Sequence, residues 1–193
     1  MAKLYFKYGA MGSSKTAQAL ITKFNYEERG MNVWLIKPMS DTRDGKDIIK
    51  SRIGLSCPAD TIGKDDDILE KYRTKSPVDV IIADECQFFS KEQIDALRYI
   101  TDNDDIPVIC FGLRTDFRTK LFPGSHRLLE IADTITEIKT MCSCGSKATV
   151  NARIDDQGHV LTEGEQILLG GAECYSVMCH KCWKKSINEN RNH

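Results

Sequence analysis

The chain has 193 residues, 41% of them hydrophobic, and a formal net charge of −1, values that suit one buried core with a small appendage. A near-neutral balance without a basic stripe argues against a nucleic-acid-binding surface, and no apolar run approaches the ~20 residues of a membrane span. The N-terminal MAKLYFKYG lacks the apolar region of a secretion signal, so the expected location is the cytoplasm.

In chain order, residues 3–8 read as a strand and 9–14 as a glycine- and serine-containing loop. Residues 15–29 read as a helix, with Ala17, Leu20, Ile21 and Phe24 at helical spacing and Gly30 as its stop. Residues 33–36 form a short apolar strand ended by Pro38. The polar stretch 40–67 reads as loop leading into a short helix near 66–73, its acidic run 65–67 a solvated face. Residues 78–83 are a continuous apolar run, the mark of a strand buried on both faces of a parallel sheet. A helix over 91–100, a second buried strand over 107–113, a polar and aromatic loop over 114–125, a helix over 127–132 and a strand over 134–138 follow. This alternation predicts an α/β fold, a parallel sheet with right-handed crossovers. From Met141 onward the pattern changes to cysteine pairs, short strands and glycines. The expected division is therefore 1–138 and 139–193.

Gly9-Ala10-Met11-Gly12-Ser13-Ser14-Lys15-Thr16 lies between a strand and a helix, the context of a phosphate-binding loop. Successive backbone N–H groups make a concave anion site, and the helix directs its positive end at the phosphates. Lys15 is placed to reach the β- and γ-phosphates of a nucleotide such as ATP, and Thr16 to offer a hydroxyl to Mg²⁺. Ser14 stands where the usual motif has glycine, so the expectation is an ordinary backbone conformation there. A plain turn before a helix is the alternative.

The strand over 78–83 ends in Asp84-Glu85. Carboxylates at the C-terminal end of a buried strand face the crevice where open α/β sheets bind ligands. Asp84 suits Mg²⁺, and Glu85 suits a general base acting on an attacking hydroxyl or on water. The pair alone does not separate a kinase from an ATPase. In the loop 112–125, Arg114, Arg118 and Lys120 are candidates to stabilise a transferring phosphoryl group. Phe117 and Phe122 read either as the apolar face of a lid or as core residues.

Five of the eight cysteines lie in the last 52 residues, and in a reducing compartment clustered thiols read first as metal ligands. Cys142, Cys144, Cys179 and Cys182 match a closed, structural Cys₄ zinc site, whose metal would supply much of a small module's folding energy. A redox pair at Cys179 and Cys182 is the alternative. Gly170-Gly171, after an apolar run, reads on its own as a turn, as does Asp41-Thr42-Arg43.

Together these motifs resemble the thymidine kinase family of the zinc-containing, cytosolic and bacterial type. The resemblance rests on the early P-loop, Lys37-Pro38 with Asp41-Thr42-Arg43, Asp84-Glu85-Cys86-Gln87-Phe88, Gly112-Leu113-Arg114-Thr115-Asp116-Phe117, the cysteine quartet, and Gly170-Gly171 with Tyr175. It implies a P-loop NTPase-like (RecA-like) parallel sheet with a small zinc-binding β module. It implies transfer of phosphate from MgATP to the 5′-hydroxyl of thymidine or deoxyuridine, with Glu85 as proton acceptor. It further implies ATP contacts from 9–16 and from Asp84, Glu85, Cys86 and Gln87, and a lid with Leu113 and Phe117 beside the base. Met11 and Tyr175 would line the 5-methyl pocket, and main-chain groups around Leu168, Gly170 and Gly171 would grip the thymine. A homotetramer inhibited by dTTP is the implied assembly and regulation.

Overall fold

The computed structural model describes residues 1–42, 45–75, 77–167 and 174–190. Strands β1 (Leu4–Tyr8), β2 (Val33–Pro38), β5 (Asp60–Ile62), β6 (Val80–Ala83), β7 (Val108–Gly112) and β8 (Thr134–Glu137) form a six-stranded sheet in the order β5-β2-β6-β7-β1-β8. Every pairing in it is parallel. The first strand thus sits between two strands that come much later in the chain.

The apolar runs explain the layering. Within β6, Val80 and Ile82 face one side and pack with Leu35, Ile109, Phe111 and with Ala19 and Leu20 of helix α1 (Lys15–Glu27). Ile81 and Ala83 face the other and pack with Phe6, Ile36 and Cys110. That side is covered by α3 (Lys91–Asp104), through Ile94 and Leu97, and by α4 (Pro123–Ile131), through Leu128. Each Leu, Ile, Val or Phe among them contributes roughly 1.5–3 kcal/mol on burial, so this two-faced sheet is the main source of stability.

The polar stretch 40–67 holds more structure than expected. A hairpin of β3 (Ile48–Lys50) and β4 (Ser56–Pro58) precedes β5, which extends the sheet at its edge. The fully buried Lys37 ammonium donates to the carbonyls of Gly45 and Ile48 at 2.9 and 2.8 Å and lies 3.8 Å from Asp41, fixing the entry to the hairpin. The acidic run is not merely solvated. Asp67 caps α2 (Ile68–Arg73) by accepting from Leu69 and Glu70, and Asp66 accepts from Gly63 and Lys71, each at 2.6 Å.

The loop after β7 ends at Phe122, because residues 123–125 are the first turn of α4, with Pro123 at its start. The last part of the chain carries β9 (Val150–Ile154), β10 (Val160–Leu161) and β11 (Tyr175–Met178) in an antiparallel sheet, order β10-β9-β11. An unforeseen helix α5 (His180–Asn190) packs on it through Trp183 and Ile187. Its core, Val150, Ala152, Val160, Trp183 and Ile187, is thin.

Candidate functional site

The loop 9–14 leaves the C-terminal end of β1, where the sheet opens a crevice. Gly9 is required by close approach: a Cβ there would lie 2.4 Å from both the Ile138 carbonyl and the Ser13 hydroxyl. Gly12 has φ 71°. Ser14 corrects the sequence expectation. It adopts a left-handed conformation, φ 62° and ψ 23°, because the chain must turn sharply into α1 at that point. A non-glycine residue held so costs roughly 1–2 kcal/mol. Ser14 makes no side-chain cap on α1, which leaves the first-turn amides to an anion. Lys15 is 7% exposed and folds across the loop, donating to the Ala10 carbonyl at 2.8 Å.

At the end of β6, Asp84 and Glu85 lie beside this loop. Asp84 is 3% exposed, and its Oδ1 has no hydrogen-bond partner among the described residues. Burial raises its carboxyl to about 7; the Glu85 charge adds to the rise, while the Thr16 hydroxyl and Lys15 oppose it. A buried carboxylate with one orphaned oxygen, standing beside the Thr16 hydroxyl, has the chemistry of a Mg²⁺ position. Glu85 is itself strained, at φ 50° and ψ 34°. Its Oε2 accepts from Gln87 Nε2 at 2.5 Å. The Cys86 thiol points into the core beside Cys110, and burial pushes it well up.

A cleft adjoins Glu85 and the loop 9–14. Its wall includes Met11, Asp41, Leu113, Phe117 and Tyr175. The structure thus brings together the predicted residues Met11, Glu85, Leu113, Phe117 and Tyr175. Leu168, Gly170 and Gly171 lie outside the described residues, as does Arg43. The two aromatic residues of the loop are buried, Phe117 to 1% and Phe122 to 4% exposure. Both line the cleft, and Phe122 meets Phe88 edge-on at 5.5 Å. They are wall and core at once. Asp116 organises the loop, its Oδ1 accepting from the backbone of Arg118 and Lys120 at 2.9 Å.

Two residues that the sequence reading passed over join the small sheet to this cleft. Asn151 Oδ1 accepts from the Met11 N–H at 2.7 Å, and its Nδ2 donates to the Thr115 carbonyl at 3.2 Å. One side chain of β9 therefore holds both the phosphate loop and the loop after β7. Two positions on, the Arg153 guanidinium stacks over the Phe117 ring at 3.9 Å. It donates to the Tyr175 hydroxyl at 2.8 Å and to the Glu165 carbonyl at 2.8 Å. Gln166 Nε2 donates to Asp116 Oδ2 at 3.1 Å. The signal was present in residues 150–154: two polar side chains alternate with buried apolar ones, and both are under 5% exposed.

The four cysteine sulfurs of Cys142, Cys144, Cys179 and Cys182 lie within 4.8 Å of one another, a group that can hold a metal ion. Cys142 and Cys144 sit on the turn before β9, and Cys179 and Cys182 at the start of α5. The Cys182 N–H points at Cys179 Sγ, 3.4 Å away. Hydrogen bonds from Ser146 pull the Cys144 thiol down to about 6, while crowding by Cys144 and Cys179 pushes Cys182 up to about 12. Such a set ionises fully only around a cation.

A family model described as thymidine kinase matches residues 2–183. A thymidine kinase of Shewanella oneidensis is 44% identical over 190 residues, covering 97% of this chain and 99% of that protein. One of Zymomonas mobilis is 43% identical over 191 residues, covering 97% and 99%. One of Legionella pneumophila is 46% identical over 191 residues, covering 96% and 90%.

Proposed function

Because this chain belongs to the thymidine kinase family, we propose that it transfers the γ-phosphate of ATP to the 5′-hydroxyl of thymidine, or of deoxyuridine, forming the nucleoside monophosphate in nucleotide salvage. The observation that carries the reading is that Glu85 stands at the junction of the phosphate loop and a cleft walled by apolar and aromatic side chains. ATP phosphates occupy the loop amides and the start of α1, with Lys15 exchanging its Ala10 contact for the β- and γ-phosphates. Thr16 and Asp84 would hold Mg²⁺, which would supply charge neutralisation on the triphosphate. Residues 84–87 flank the nucleotide.

The nucleoside enters the cleft with its 5′-oxygen toward Glu85. Its base lies against Leu113 and Phe117, its 5-substituent toward Met11 and Tyr175, and main-chain groups near Leu168, Gly170 and Gly171 complete the grip. The Glu85 carboxylate takes the hydroxyl proton as that oxygen attacks the γ-phosphorus. The new O–P bond forms, the bond from the γ-phosphorus to the β–γ bridging oxygen breaks, and ADP leaves with that electron pair. The loop 112–125 excludes water, so the acceptor is the nucleoside rather than solvent.

The metal of the cysteine quartet is read as structural zinc, because four thiolates leave no open position. The functional division falls near 139, with ATP bound by 1–138 and the zinc module 139–193 supplying the nucleoside loop. A cytoplasmic homotetramer inhibited by dTTP completes the proposal. Among the described residues no helix is long and apolar enough to cross a membrane.

The test is to incubate purified protein with MgATP and thymidine and to measure thymidine monophosphate against a control without nucleoside. Nucleoside-dependent product is expected; ADP release without it would overturn the reading in favour of an ATPase. Glu85→Gln should lower kcat by about 10²–10⁴-fold, the usual reach of a positioned base, while leaving folding and metal content unchanged. Near-full activity in that variant would remove Glu85 from the mechanism.

A further inference from the structure

Gln87 has no solvent exposure, and its side-chain amide links two parts of the site, the Glu85 carboxylate and the Leu113 peptide. Its Oε1 accepts from the Leu113 N–H at 3.0 Å. Its Nε2 donates to Glu85 Oε2 at 2.5 Å. The orientation of the amide follows from chemistry. Leu113 offers a backbone N–H, which is only a donor, so the amide oxygen must face it; the NH₂ group is then left facing the carboxylate. Turning the amide over would set two donors against each other at Leu113 and two acceptors against each other at Glu85.

The surroundings enforce this arrangement. Gly112, just before Leu113, has no side chain where one would collide: a Cβ there would lie 2.7 Å from Gln87 Oε1 and 2.7 Å from Cys86 Sγ. Glu85 is held in the left-handed region at φ 50°, a conformation that persists only when neighbouring groups over-determine it. Glu85 has other interactions as well, so Gln87 is not its sole anchor. The Gln87 amide runs from the carboxylate to the loop bearing Leu113 and Phe117, and both of those side chains line the nucleoside cleft.

We propose that Gln87 is the positioning residue of the transfer step, an amide that locks the Glu85 carboxylate to the Leu113 peptide so that the proton acceptor and the nucleoside wall hold one fixed spacing. The proposal rests on the reading of Glu85 as the base. Gln87 also lines the cleft, but in this role it acts on the transfer through Glu85 and the Leu113 peptide. It differs from a direct ATP contact because both ends of its amide are already engaged by protein atoms.

Two substitutions separate this role from simple packing. Gln87→Glu keeps an acceptor for the Leu113 N–H and loses the donor to Glu85. Gln87→Met keeps the volume and loses both. If Gln87 acts through Glu85, both variants should lower kcat by about 10–100-fold, the worth of one hydrogen bond to a charged group. Gln87→Glu should be at least as impaired as Gln87→Met, and KM for MgATP and for thymidine should stay within about three-fold of wild type, the split expected when transition-state stabilisation alone is lost. If Gln87 only satisfies Leu113, Gln87→Glu keeps wild-type kcat and Gln87→Met loses thermal stability and thymidine KM instead; that result overturns the proposal.

The same substitutions are then made in the Glu85→Gln background, with single-turnover transfer of labelled γ-phosphate to read small residual rates. With the base gone, changing Gln87 should cost less than about three-fold further, because residues that act as a unit are non-additive. Equal cost in both backgrounds overturns the positioning role while leaving Glu85 as base. Full activity of Glu85→Gln alone overturns both, and is told apart by that single variant. Should Gln87→Met fail to fold, judged by its melting curve and metal content, Gln87→Glu decides: a folded protein with wild-type kcat overturns the proposal.

Discussion

The phosphate end of the site draws on two short stretches, 9–16 and 84–87, each leaving the end of a buried strand, whereas the adjoining cleft draws on residues as far apart as Met11, Asp41, Leu113, Asn151 and Tyr175. The first end rests on a sheet covered on both faces by apolar side chains. The second rests on a module with a thin core among the described residues and a cysteine quartet, joined to the rest of the chain by hydrogen bonds from Asn151 and Gln166 and by the stack of Arg153 on Phe117. One end is held by burial, the other by cross-links. Damage to the cross-links should therefore strike nucleoside recognition first and leave nucleotide binding standing.

Stripping the metal from the cysteine quartet should break the comparison most widely. Without a cation, crowded thiols cannot all ionise, and the thin module has little else to hold it. Thymidine affinity should fall by about 100-fold or more while MgATP affinity stays within about three-fold, as read by calorimetry before and after chelation. Equal loss of both ligands would mean that the Asn151 bond to the Met11 N–H supports the phosphate loop as well.

Arg153→Met sharpens the comparison at one side chain. It keeps much of the stem but loses the bonds to the Tyr175 hydroxyl and the Glu165 carbonyl and the stack on Phe117. KM for thymidine should rise about 10–50-fold with kcat changed far less, since charge-assisted hydrogen bonds and a desolvated cation–π contact are both lost. An unchanged thymidine KM would show that Arg153 only fills space. The smallest effect lies at the other end. Ser14→Gly relieves left-handed strain but gives the unfolded chain more freedom, so the net gain should be about 0.5–1 kcal/mol in urea unfolding with thymidine KM unaltered. A loss of stability would mean that the Ser14 side chain offsets its own strain.

The contrast between the two ends also decides what could be read from the sequence. The loop 9–14 between β1 and α1 was legible because its residues are contiguous, and residues 78–83 and 107–113 were legible because a strand buried on both faces is apolar at nearly every position. The edge strand β5 was not, since Asp60, Thr61 and Ile62 are three mostly polar residues whose strand character comes from pairing with β2. Helix α5 was not, because its start coincides with the metal-ligand pattern of Cys179 and Cys182, although Trp183 and Ile187 are spaced i, i+4 on one face. Spacing identified Ser14 as a departure, but only the folded loop shows its positive φ. Asn151 and Arg153 were missed because no short motif contains them; their roles arise from bonds to Met11 and Phe117, more than thirty residues away in sequence.

The strand order has a consequence for how the chain matures. β1 is made first, yet its neighbours β7 and β8 begin at Val108 and Thr134. Until those residues leave the ribosome, Leu4 and Phe6, fully buried in the finished sheet, have no lateral partner, and the phosphate loop attached to them has no floor. Long-range parallel pairing of this kind is slow and leaves apolar surface open to aggregation meanwhile. A nascent chain that stalls before residue 108 therefore already carries every residue of the phosphate loop and of the acidic pair, yet lacks the strands that would let them assemble.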